Sequence, residues 1–212
     1  MSIQEIAKAM VANNKGLLAA DESTSSIKKK LEKYGIEDTV ENHRKYRQML
    51  FTASGLEEFI SGVILFDETI RQSDDSGKLF PDLLSDKGII PGIKVDKGLV
   101  DAPLFGEEKI TEGLDGLRDR LKEYSEMGAK FTKWRAVIVI GSGKPSMAVL
   151  HANANSLARY AAFVQEAGMV PIVEPEVLMD GSHSLEECEI VTRMTLNEVF
   201  TELIKMKIDL TG

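Results

Sequence analysis

Several ionisable residues of this chain stand where an ordinary soluble protein keeps few charges. Lys133 and Arg135 sit two apart inside the apolar run 131–140. Residues two apart on a strand share a face, and a strand covered on both sides offers no inexpensive place for two cations. They call for carboxylates or for a phosphorylated ligand. Glu174 and Glu176 repeat the spacing at the end of a second apolar run, 169–173. They are either structural partners of the two cations or, with them, a group able to trade protons. Lys94 alternates with Ile93 and Val95 in a third run and is followed by Asp96; alone, it reads as a solvent-facing strand lysine. A fourth run, 16–20, leads into Asp21-Glu22-Ser23-Thr24, and residues 21–26 are of the types that cap helices. Lysines and carboxylates gathered at the C-terminal ends of successive strands read as a site rather than as scattered ion pairs.

Other motifs carry less. Gly141-Ser142-Gly143-Lys144-Pro145 lacks the spacing of a phosphate loop and reads as a turn. His43, His151 and His183 show no metal-ligand spacing with Cys188, so structural roles are expected for them. Cys188 falls in a helical stretch as a core residue. No serine, histidine and aspartate suggest a triad.

The elements that must position these residues alternate. Helical patterns over 3–12, from Ser26, over 41–59, over 114–127, through 157–164 up to a cap at Gly168, and from Ser184 onward separate short apolar runs. Ser184 and Glu187 stand in capping-box register. The strands expected are 16–20, 62–66, 89–95, 131–140 and 169–173, the third despite Pro91 and Gly92. Five strands alternating with helices give an α/β fold with a parallel sheet and right-handed crossovers. Periodicity does not separate an open sheet from a barrel. Without a linker or repeat, residues 1–212 read as a single domain.

Composition narrows the function classes. The 212 residues carry 26 basic and 34 acidic side chains, a net charge of -8, which disfavours nucleic acid and anionic membranes as partners. No run reaches the roughly 18 apolar residues of a membrane span, and the N-terminus lacks a signal pattern. One cysteine excludes an intrachain disulfide framework. The cytoplasm is the expected compartment.

The same residues carry a resemblance. Leu18-Ala19-Ala20-Asp21-Glu22-Ser23-Thr24, Arg44–Leu50 (RKYRQML), Gly92-Ile93-Lys94-Val95-Asp96-Lys97-Gly98, Lys133-Trp134-Arg135, Asn153-Ala154-Asn155-Ser156-Leu157-Ala158-Arg159-Tyr160 and Val170-Pro171-Ile172-Val173-Glu174-Pro175-Glu176 stand in the order and spacing of class I (Schiff-base) fructose-bisphosphate aldolases. From about residue 13 to Gly212 the chain resembles the N-terminal part of that family. The resemblance implies a TIM (β/α)8 barrel, of which these residues supply about the first five β/α units. It implies reversible retro-aldol cleavage of fructose 1,6-bisphosphate to dihydroxyacetone phosphate and glyceraldehyde 3-phosphate, without cofactor or metal. The complete protein is then expected to be a homo-oligomer acting on a sugar phosphate. By the same carry-over Asp21 orients the substrate C4 hydroxyl, and Lys133 stabilises charge on the reacting oxygens. Glu174 is the general acid and base, and Glu176 holds Lys133 in place. Ser23, Ser26, Lys94 and Arg135 bind the distal phosphate.

One departure accompanies the resemblance. The family's Schiff-base lysine lies in a run resembling L-x-G-x-L-L-K, of which Asp209-Leu210-Thr211-Gly212 matches only the opening. Without that amine a retro-aldol step has no electron sink, and five strands of eight leave barrel edges unpaired. The expectation is therefore a portion of a longer chain, inactive by itself. The alternatives are a catalytically silent binding or scaffold module, or a Schiff-base aldolase for another sugar phosphate.

Overall fold

The computed structural model describes residues 1–12 and 14–212. Residue 13, where the resemblance was expected to begin, lies outside the described residues. The chain partitions into two compact units with interleaved segments: Met1–Lys94 with Lys122–Thr132, and Val95–Leu121 with Lys133–Gly212.

The first unit opens with α1 (Ile3–Met10), where Ser2 and Glu5 form a capping box and Ile6 and Met10 are buried. Then follow β1 (Gly16–Ala19), α2 (Thr24–Glu32), α3 (Val40–Phe51), the single turn α4 (Leu56–Phe59) and β2 (Ile60–Leu65). The turns α5 (Asp67–Ile70) and α6 (Phe80–Asp86) lead to β3 (Ile90–Lys94). The stretch expected as one helix over 41–59 is two helices, the break falling before Gly55, whose φ of 74° lies in the left-handed region that glycine adopts readily. Strands β1, β2 and β3 are parallel neighbours, with Leu18 opposite Val63 and Leu65 opposite Ile93. Phe51 and Phe80 pack edge to face, 5.2 Å between ring centroids.

Gly92, one of the two residues that weaken the strand reading, has a packing reason. Phe131 is fully buried, and its ring occupies the space where side chains on β2 and β3 would project. A Cβ placed on Gly92 would lie 2.3 Å from two ring carbons, and one on Gly62 would lie 3.1 Å from the ring. Glycine in these strands marks the close approach of an aromatic face. The Pro91 carbonyl accepts a hydrogen bond from the Lys130 amide at 2.9 Å.

The second unit contains an antiparallel hairpin, β4 (Leu99–Asp101) and β5 (Lys109–Thr111), that the sequence reading did not anticipate. Next come α7 (Leu117–Glu126) and β6 (Phe131–Ile138), each of which contributes residues to both units. α8 (Met147–Glu166), β7 (Val170–Val177) and α9 (Leu185–Lys205) complete the chain. β6 and β7 are neighbours in the sheet. The Leu178 amide donates to the Ile138 carbonyl at 2.9 Å, so their C-terminal ends lie together. α8 packs on both β7 and α9, and Trp134 and Tyr160, both fully buried, lie 5.4 Å apart. The α8 cap is Ala167, with Gly168 one residue further on at φ +73°. At α9 the expected capping box of Ser184 and Glu187 is formed.

β7 corrects one expectation. It runs through Pro175 to Val177, so Glu174 and Glu176 are residues within the strand, not beyond its end. Among the described residues no helix is long and apolar enough to cross a membrane.

Candidate active site

The first unit carries Asp21, Ser23, Ser26 and Lys94. The Ala20 amide extends the β1–β2 pairing by donating to the Ile64 carbonyl at 3.0 Å, and Asp21 follows immediately. Lys94 is the last residue of β3. Because these strands are parallel, Asp21 and Lys94 stand at the same end of the sheet. Ser23 is the N-cap of α2, its Oγ accepting from the Ser26 amide at 3.4 Å, so the capping reading holds. The Ser23 Oγ also lies 3.1 Å from the Oγ atoms of Ser25 and Ser26. Hydroxyls gathered at the N-terminus of a nine-residue helix make a favourable place for an anion.

Between Asp21 and Ser23, Glu22 anchors the turn. Its Oε1 accepts from Lys30 Nζ at 2.5 Å and from the Tyr46 hydroxyl at 3.3 Å. Its Oε2 lies 2.7 Å from Nη1 of Arg47, and Nη2 of Arg47 donates to the Glu22 carbonyl at 3.0 Å. Arg47 is only 1% exposed. Burial by itself would raise the Glu22 carboxyl, but the Lys30 ammonium and the Arg47 guanidinium outweigh it and hold the group below its ordinary value. Burial pulls the Arg47 guanidinium down against the pull of Glu22. The sequence reading missed this anchor. Its signal was the stripe His43, Arg47, Phe51, which places an arginine on the buried face of α3. His43 is also buried and lies between Asp38 and Glu68, at 2.8 and 2.9 Å, which is a structural role.

The second unit carries the other four residues. Lys133 and Arg135 are half-buried on one face of β6, while Thr132, Trp134 and Ala136 alternate with them and are buried. Lys133 Nζ is 3.2 Å from Glu174 Oε2, with the two side chains 12% and 33% exposed. Arg135 pairs through Nε with Glu176. Glu176, expected to hold Lys133, makes this ion pair with Arg135 on the same face of β6. The strand bearing the cations is braced: the Val95 amide donates to the Lys133 carbonyl at 3.0 Å, and buried Asp96 accepts from the Arg135 and Gly98 amides at 3.3 and 3.1 Å. Arg120 donates to the Val95 carbonyl at 2.8 Å and to the Gly113 carbonyl.

Gly141 and Lys144 bond amide to carbonyl in both directions, at 3.3 and 3.0 Å, closing the turn expected of that glycine-rich stretch. Cys188 lies in α9 and is half-buried.

An ammonium and a carboxylate 3.2 Å apart on neighbouring strands can trade a proton and steady an oxyanion. Residues 2–212 match the family model described as fructose-bisphosphate aldolase class-I. The chain is 54% identical over 215 residues to a probable fructose-bisphosphate aldolase class 1 of Xanthomonas campestris pv. campestris, covering 100% of this chain and 64% of the relative. It is 53% identical over 203 residues to fructose-bisphosphate aldolase 2 of Plasmodium berghei, covering 95% of this chain and 55% of the relative. A crystal structure of the Plasmodium falciparum fructose-bisphosphate aldolase, in complex with TRAP and a small-molecule inhibitor, superposes with a TM-score of 0.97 at 50% identity, over 99% of this chain and 61% of that one. The fold is therefore α/β and part of a TIM barrel, and the chain belongs to the class I fructose-bisphosphate aldolase family. It spans less than two thirds of the length of these relatives.

Proposed function

We propose that this protein acts in the reversible aldol cleavage of fructose 1,6-bisphosphate to dihydroxyacetone phosphate and glyceraldehyde 3-phosphate through a lysine Schiff base. The observation that carries the reading is the Lys133–Glu174 pair, at 3.2 Å, in a chain of this family. Glu174 moves the protons of carbinolamine dehydration, and the Lys133 ammonium beside it steadies the charge that develops on the reacting oxygens. Asp21 orients the C4 hydroxyl as the carbon–carbon bond breaks. Ser23, Ser26, Lys94 and Arg135 receive the distal phosphate, and Glu176 orients Arg135. On this reading the enzyme works in the cytoplasm as a homo-oligomer, with no catalytic metal.

The test is Glu174→Gln in the protein purified as its source makes it, with turnover and thermal melting measured together. The amide keeps the shape but exchanges no proton, so turnover should fall about 10²–10⁴-fold while the melting temperature changes little. If Glu174 is only a structural partner of Lys133, the melting temperature falls and turnover per folded molecule stays normal.

A further inference from the structure

The outer helices α8 and α9 bring together a histidine and two carboxylates that the proposed catalytic chemistry does not use. His151 and Asn155 stand one turn apart on α8, and Glu198 and Glu202 stand one turn apart on α9, so each pair shares a face. The faces meet. His151 Nδ1 lies 2.5 Å from Glu198 Oε1, and Asn155 Nδ2 donates to Glu202 Oε2 at 2.9 Å. One ligand atom from each of His151, Glu198 and Glu202 lies within 4.8 Å of the other two. Glu202 is 4% exposed, an uncommon position for a carboxylate. Its second oxygen accepts from Lys205 Nζ at 2.7 Å, and that lysine side chain is 62% exposed.

A hydrogen bond accounts for His151 with Glu198, and an ion pair accounts for Glu202 with Lys205. Beyond those pairings, the three groups stand close enough that a small rotation of the side chains brings one imidazole nitrogen and two carboxylates around a single cation. We propose that His151, Glu198 and Glu202 form a binding site for a divalent transition-metal cation, Zn2+ foremost, which clamps α8 to α9. Imidazole nitrogen with carboxylate oxygens suits such a cation, at about 2.0–2.2 Å to each ligand atom. Asn155 holds the Glu202 carboxylate in place as an outer partner. The Lys205 ammonium occupies the charge position in the metal-free protein and competes with the cation. Solvent reaches the site from the side of His151, whose side chain is 54% exposed. None of these residues has a role in the proposed cleavage reaction, so the site stands or falls independently of it.

The experiment is a calorimetric Zn2+ titration of the untagged protein purified from its source, with Co2+ absorption reporting the ligand field. The expected result is one saturable Zn2+ per chain. His151→Ala and Glu198→Gln should each weaken binding by about tenfold or more, since even outer-sphere changes at metal sites cost about that. Cys188→Ser should leave the affinity unchanged, Lys205→Met should tighten it by relieving the competition, and Mg2+ should not displace Co2+. Absence of saturable binding, binding undiminished in His151→Ala and Glu198→Gln, or loss of binding in Cys188→Ser overturns the site. A Lys205→Met variant that binds no more tightly removes Glu202 from the ligand set and overturns it as drawn.

Discussion

Gly92→Ala isolates the packing that lets β3 present Lys94, because two effects of opposite sign meet at one methyl group. Gly92 does not lie in the left-handed region, so an L-residue fits its backbone. Adding a Cβ to a strand glycine should by itself stabilise by about 0.5–1 kcal/mol through lost freedom of the unfolded chain. Against that, the new carbon would lie 2.3, 2.3 and 2.5 Å from three ring atoms of Phe131. Ordinary carbon contact begins near 3.5 Å, so the ring or the strand must give by about 1 Å. Phe131 is fully buried and also backs onto Gly62, which leaves it little room to retreat. Overpacking of this kind costs about 1–3 kcal/mol or more, so the clash wins by about 1–2 kcal/mol. In a chain of this size that lowers the melting temperature by about 2–8 °C. Urea unfolding with unchanged slope, beside thermal melting, reads the loss. The double variant with Phe131→Leu supplies the internal check: Gly92→Ala should cost at least about 1 kcal/mol less in that background. A Gly92→Ala chain as stable as the native one, or a cost unchanged by Phe131→Leu, would refute the account of why β3 carries a glycine.

Two further outcomes are expected. The folded Glu22 carboxyl is held below its ordinary value of 4.5 by Lys30 and Arg47 against the opposing effect of burial. Its stabilisation is therefore complete above that value and is lost as pH falls through the folded value. Glu22→Gln should be less stable near neutrality, by up to about 3–5 kcal/mol for a broken buried pair. Its stability should also fall less steeply than that of the native chain below about pH 5; parallel acid profiles would contradict the anchor. In the protein purified from its source, Lys94→Met or Ser26→Ala should weaken binding of fructose 1,6-bisphosphate about tenfold to a hundredfold. Binding of the analogue lacking the distal phosphate should change little, and equal losses for both ligands would remove these residues from the phosphate site.

Much of this was legible because buried parallel strands announce themselves. The run 131–140 showed its faces through the alternation of Lys133 and Arg135 with Trp134, and the structure keeps those faces. Ser184 with Glu187 fixed the start of α9, since capping-box chemistry is local. What failed depends on contacts distant in sequence. Gly92 reads as weakening a strand until Phe131, some forty residues on, is seen to fill the space over it. β7 read as ending at Val173 because two glutamates and a proline look like a loop; with Glu174 and Glu176 neutralised by Lys133 and Arg135, the strand continues to Val177. Strands β4 and β5, three residues each, are too short for a periodic signal. The meeting of His151 with Glu198 and Glu202 needed the packing of α8 on α9, for which no ligand spacing along the chain could stand in.

The central claim is that Lys133 and Glu174 serve a Schiff-base reaction without Lys133 itself forming the imine. Borohydride reduction of the protein purified from its source, in the presence of dihydroxyacetone phosphate and followed by peptide mapping, tests it most directly. The account predicts a trapped lysine adduct, with Lys94 and Lys133 both unmodified and with trapping slowed in Glu174→Gln at unchanged melting temperature. A protein that traps no substrate, or one whose adduct maps to Lys133 or Lys94, would contradict it.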